Sequence, residues 1–117
     1  MYYTYMVRCY DNSIYTGITT DLERRMLEHE AQNNKSAKYT KRHKIKNLEL
    51  AWISENKVQA SKLEYHIKKR LSKLEKEALI QNYKLLKNYS KEKIDSSNYK
   101  KVRKNNILQI NKTLNQE

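Results

Sequence analysis

The sequence predicts a small α+β domain, and three observations carry that expectation. Residues Tyr2 to Cys9 alternate in β-branched and aromatic types. A turn-forming cluster, Tyr10-Asp11-Asn12-Ser13, separates them from a second short run of the same kind. Apolar residues then recur at helical spacing after Thr20 and again after Lys57.

The first run places Tyr3, Tyr5, Val7 and Cys9 on one side and Tyr2, Thr4, Met6 and Arg8 on the other, as a strand with period two does. Ser13-Ile14-Tyr15-Thr16-Gly17 reads as the returning strand of a β-hairpin. Thr20-Asp21-Leu22-Glu23 has capping-box spacing, so a helix is expected from about Thr20 to Gln32. Asn33 to Asn47 is polar and crowded with cations, which suits a basic loop or short exposed helix. Leu48 to Ile53 suits a third strand. Val58, Ala60, Leu63, Ile67 and Leu71 mark a helix over about Lys57–Leu71, and Leu74 to Ile80 a shorter one. Beyond Asn82 the composition shifts toward Lys, Asn and Ser. The expected organisation is therefore a domain over 1–81 and a basic extension over 82–117, with room for weakly amphipathic helices.

A chain of 117 residues holds one core. Its 25 Lys and Arg against 13 Asp and Glu give a net charge of +12, so its surface attracts polyanions, and nucleic acid leads the partner classes. A mean hydropathy of -1.07 and the lack of any long apolar run argue against a membrane span or signal segment, and a cytoplasmic location is expected. The single cysteine, Cys9, excludes an intramolecular disulfide and a multi-cysteine zinc site.

Several residues have the chemistry of a site. Gly17 is the only glycine, placed between strand and helix where a side chain would obstruct backbone or ligand. Arg25 and His29, four apart, share one helix face. Glu64 falls on or beside the inward face of the later helix. A carboxylate there needs a partner, either a cationic side chain or a metal ion. Tyr5 and Tyr15 come from adjacent strands, where a phenol can position a water while its ring fills a thin core. In the basic loop, Lys35, Lys38, Lys41, Arg42 and Lys44 suit phosphate contacts, and Tyr39 suits stacking on an unpaired base.

Tyr3-Thr4-Tyr5, Tyr15-Thr16-Gly17, Arg25-x-x-x-His29 and Glu64, in that order, resemble the GIY-YIG nuclease domain, particularly its small single-domain bacterial members. The resemblance covers about residues 1 to 81. It departs at Tyr3, where the name-giving glycine would stand, and at Ile18, where some members have a lysine. It implies a three-stranded antiparallel sheet flanked by helices, with the active site across one sheet face. It also implies an endonuclease that hydrolyses phosphodiesters, of DNA more than RNA, with one divalent cation. In that reading Glu64 holds magnesium or manganese, Tyr5 activates water with Tyr15 or His29 assisting, and Arg25 stabilises the transition-state phosphate. The other readings are a catalytically weak nucleic-acid-binding module and a structural component of a ribonucleoprotein.

Overall fold

The computed structural model describes residues 1–31, 44–90 and 93–114. Strands β1 (Tyr2–Cys9) and β2 (Ile14–Thr19) form the hairpin, and helix α1 (Leu22–Ala31) follows. After β3 (Ile45–Ser54), helix α2 (Lys57–Tyr65) runs directly into a π-helical turn (His66–Arg70), and α3 (Lys73–Gln81) follows. The remaining elements are α4 (Leu86–Ser90), β4 (Lys100–Lys101) and α5 (Lys104–Leu114), with one 3₁₀ turn before α4 and one between α4 and β4.

The strands form one antiparallel sheet in the order β2-β1-β3-β4, four strands where three were expected. The added β4 is only Lys100 and Lys101, paired with Ile53 and Trp52. Two lysines carry no apolar alternation, so backbone pairing with β3 recruits them and their own composition does not. Strand β3 also begins earlier than expected: Ile45 is buried opposite Cys9, inside what reads as the basic loop.

The hairpin turn places Asn12 at φ 71, in the left-handed region that asparagine tolerates. Arg8 fixes the hairpin to the layer behind it. Its Nε donates to Glu49 at 3.1 Å, and Nη1 and Nη2 both donate to the Glu77 carboxylate of α3. Helix α1 is capped by Asp21, whose Oδ1 accepts from the Arg24 N–H at 3.1 Å, and the expected Thr20 cap is displaced. Strand β2 extends through Thr19, and the Thr19 hydroxyl in turn accepts from the Asp21 N–H. A reciprocal capping box does occur, at Ser72 and Glu75 before α3.

The alternation of β1 divides the apolar residues between two layers. Tyr5, Val7 and Cys9 pack with Leu22 and Met26 of α1 and with Ile107, Ile110 and Leu114 of α5. On the other face Met6, Leu50 and Trp52 pack with Leu63, Ile67, Leu71, Leu79, Leu86 and Tyr99. The segment after Asn82 was expected as an appendage, yet it supplies buried residues to both layers. Its apolar stripe is sparse, three residues at i, i+3 and i+7 among lysines and asparagines, which is why composition hides it. Asn111 fastens α5 to the sheet by accepting from the Leu48 N–H at 2.8 Å and donating to the Leu48 carbonyl at 2.9 Å.

Candidate active site

Tyr5 lies opposite Gly17 in the β1–β2 register, and its phenol lies across the glycine. A Cβ at Gly17 would stand 2.5 Å from Tyr5 Oη, 2.7 Å from Tyr5 Cζ and 3.1 Å from a Tyr15 ring carbon. No glycine has a positive φ, so this position requires glycine for space and makes no demand on conformation. The steric role expected of Gly17 is thus to seat the Tyr5 ring.

From α1, Met26 and His29 face the sheet and are fully buried. His29 Nε2 lies 2.9 Å from Tyr5 Oη. The Tyr5, Tyr15 and His29 rings form a triangle with centroids 6.3, 5.9 and 5.7 Å apart, and both contacts of His29 are edge-on. Arg25 sits one turn earlier on the same face, where its guanidinium approaches both phenols and pairs with Glu28 at 3.1 Å. The structure therefore brings together Tyr5, Tyr15, Arg25 and His29 over one face of the sheet.

Burial sets the protonation of these groups. It lowers the His29 imidazole to about 4, with the Arg25 charge adding to the effect and Glu28 opposing it. It also pushes the Tyr5 phenol far above its ordinary value; Tyr15 adds to this and Arg25 opposes it. Tyr15 is raised for the same first reason. At neutral pH the pair is a neutral phenol against a neutral imidazole. The sequence alone leaves open whether Arg25 brings the phenol into a basic range, and desolvation outweighs it here.

Glu64 reaches this cluster from the opposite layer. Helix α2 packs under the Met6 face, where the Thr4 hydroxyl donates to the Ala60 carbonyl at 3.0 Å. Glu64 is one-quarter exposed, and its charge acts on both Tyr5 and Tyr15. Four of the five expected residues thus share one sheet face, and the fifth comes from the helix of the other layer. Among the described residues no group of three or more His, Cys, Asp or Glu could hold a metal, so a cation here would have Glu64 as its protein ligand.

Sequence reasoning missed Lys68. Its Nζ lies 3.6 Å from Glu64 Oε2 and 5.3 Å from the centre of the Tyr15 ring. The i,i+4 spacing from Glu64 was the available signal, lost among many lysines. Lys73 and Lys76 continue this positive edge: partial burial and then the charges of Lys73 and Lys68 lower Lys76. Of the loop residues expected to touch nucleic acid, Lys35, Lys38, Tyr39, Lys41 and Arg42 lie outside the described residues, and Lys44 is exposed at the start of β3. Cys9 is a buried free thiol, and no described helix is long and apolar enough to cross a membrane.

Comparison with known proteins gives the family of the chain. The chain is similar to UPF0213 protein FN1575 of Fusobacterium nucleatum, with 44% identity over 72 residues, covering 62% of this chain and 70% of that protein. It is equally similar to UPF0213 protein VC_A0739 of Vibrio cholerae, with 44% identity over 82 residues, covering 68% and 76%. The solution NMR structure of UPF0213 protein BH0048 from Bacillus halodurans is 40% identical over 69% of this chain and 84% of that one, with a TM-score of 0.44. The model of the GIY-YIG catalytic domain matches residues 1–94, past the boundary expected at 81, and the chain belongs to the GIY-YIG family.

Proposed function

We propose that the chain is an endonuclease that hydrolyses phosphodiester bonds of nucleic acid, with DNA the favoured substrate, using one magnesium or manganese ion at Glu64. The observation that carries this reading is the 2.9 Å contact between Tyr5 Oη and His29 Nε2, seated over Gly17 and flanked by Arg25. A buried phenol held this way is costly to maintain for packing alone and well placed to pass a proton.

The donor set fits the ion, since magnesium keeps several waters and often takes only one or two carboxylates from protein. When bound, the ion would offset charge on the scissile phosphate and on the leaving oxygen. The chain's own groups handle the proton. The attacking water gives its proton to Tyr5 Oη as the Tyr5 proton passes to His29 Nε2, which replaces a buried phenolate by an imidazolium that burial and Arg25 also disfavour and that Glu28 in part offsets. Arg25 remains cationic and offers its fork of donors to the phosphate oxygens. Lys68 pairs with Glu64 at 3.6 Å, and it would be free to meet phosphate were Glu64 to hold an ion.

That same ion pair and the raised Tyr5 phenol support the second reading, a nucleic-acid-binding module of weak catalytic power. The test is incubation of wild-type and Glu64→Ala protein with labelled single-stranded, duplex and branched DNA and RNA, in magnesium, manganese or chelator. The expected result is metal-dependent cleavage by wild type only, with binding by Glu64→Ala preserved or strengthened by the loss of a negative charge. Equal cleavage by the two proteins, or none by either, rejects the mechanism in favour of the binding module.

A further inference from the structure

A second feature of α2 lies outside the site just described. A cavity of about 590 Å³ opens between the outer side of α2 and the segment at Lys93 and Ile94. Lys57, Lys62, Arg70 and Lys93 surround it, and no carboxylate is among the described residues that line it. Its wall also carries Tyr65, 56% exposed, and His66, 3% exposed.

His66 is incompletely satisfied. Its Nε2 lies 3.0 Å from the Tyr89 carbonyl oxygen, which can only accept, so Nε2 carries the proton. Nδ1 is then a buried acceptor, with no partner among the described residues. The π-helical turn that begins at His66 shapes the rest of the wall. Residues five apart point to different sides of an α-helix, but a π turn closes i to i+5 and brings Arg70 over the Tyr65 ring, 6.0 Å from its centre. An aromatic face, a histidine in the wall and a rim of cations therefore share one concavity.

We propose that this cavity takes an unpaired nucleotide of the nucleic-acid strand bound at the active site. The base would lie against Tyr65 beside the His66 wall, and the flanking phosphates would meet Lys57, Lys62, Arg70 and Lys93. A paired base is stacked and has its donors engaged, so the cavity selects single-stranded or frayed substrate. Tyr65 follows Glu64 directly but projects about 100° around the helix, so a strand leaving Glu64 and crossing α2 reaches the cavity. The inference rests on the nucleic-acid reading above and adds to it the form of the substrate.

The test uses the full chain in excess chelator, where metal-dependent cleavage does not occur. Isotope-labelled protein is titrated with a single-stranded oligonucleotide, with the same sequence as duplex, and with a nucleoside 5′-monophosphate as a probe of the cavity alone. The single strand is expected to shift the His66 imidazole nitrogens and the Tyr65 ring signals, and the monophosphate to shift them weakly. Tyr65→Ala should weaken single-strand binding about tenfold, the scale of one base stacked on an aromatic ring, and change duplex binding less than twofold. Lys62→Ala with Arg70→Ala should reduce the salt slope for single strands by about 1.4, the value for two lost phosphate contacts. Single-strand binding that leaves His66 and Tyr65 unmoved, or that Tyr65→Ala leaves unchanged, overturns this inference and spares the nuclease reading. Failure to bind any strand overturns both.

Discussion

Replacing Gly17 with alanine isolates the feature on which the site is built. The added Cβ would meet Tyr5 Oη at 2.5 Å, about 1 Å inside the roughly 3.5 Å optimum for non-bonded heavy atoms. Tyr5 is 1% exposed and its hydroxyl is held by His29, so the ring can yield only by breaking that contact. Overpacking of this kind costs about 1–3 kcal/mol. Leaving the phenol and the imidazole unpaired in the interior adds about 1–3 kcal/mol. Because φ at Gly17 is not positive, alanine should recover about 0.4–1 kcal/mol of chain entropy. The expected net loss is about 2–4 kcal/mol, or a Tm lower by about 8–16 °C for a chain of this size. Thermal and denaturant unfolding measure it, and Tyr5→Phe in the Gly17→Ala background should recover part of the loss because the worst contact disappears. A Gly17→Ala protein as stable as wild type, or more so, would refute the argument that this glycine is required for space.

Three further outcomes follow from the same structure. His29 binds protons less readily folded than unfolded, so stability should decline as pH falls from about 6.5 to about 4, and His29→Asn should flatten that limb in pH-dependent melts. A chain ending at Gln81 loses Leu86, Tyr99, Val102, Ile107, Ile110 and Leu114, each worth about 1.5–3 kcal/mol of burial. That total is comparable with the whole stability of about 5–15 kcal/mol expected of a domain. Cooperative unfolding should therefore disappear, and a sharp transition in the truncated chain would show that residues 1–81 fold alone. Lys68→Met should tighten manganese binding to the free protein by up to about fivefold, the scale of a partly exposed ion pair, as read by spin-resonance titration. An unchanged affinity would mean that Glu64 is not the ligand.

Local pattern was enough to place the sheet-facing side of α1 and the hairpin. The period-two run of β1 sorts Tyr5 from Met6, and the i,i+4 spacing of Arg25 and His29 puts both on the side of α1 that meets Tyr5. A lone glycine between strand and helix marks a steric demand before its cause is visible. What occupies the space is a long-range fact: the Tyr5 ring arrives through the β1–β2 register, twelve residues away in sequence. Tertiary structure also decided the protonation of the site, because only burial raises the Tyr5 phenol and lowers His29 against their intrinsic values. It decided that Glu64 comes from the layer opposite Tyr5, since helical periodicity places a residue on a face without saying which sheet face that helix covers. The C-terminal segment shows the same limit. Its composition is that of a solvated tail, and its few apolar residues become core only because α5 finds an uncovered sheet face beside α1. Sequence determined the chemistry available to this protein, because side-chain type and local spacing are written in it. The fold determined which of those groups meet and in what ionic form, because burial and strand register depend on residues far apart in the chain.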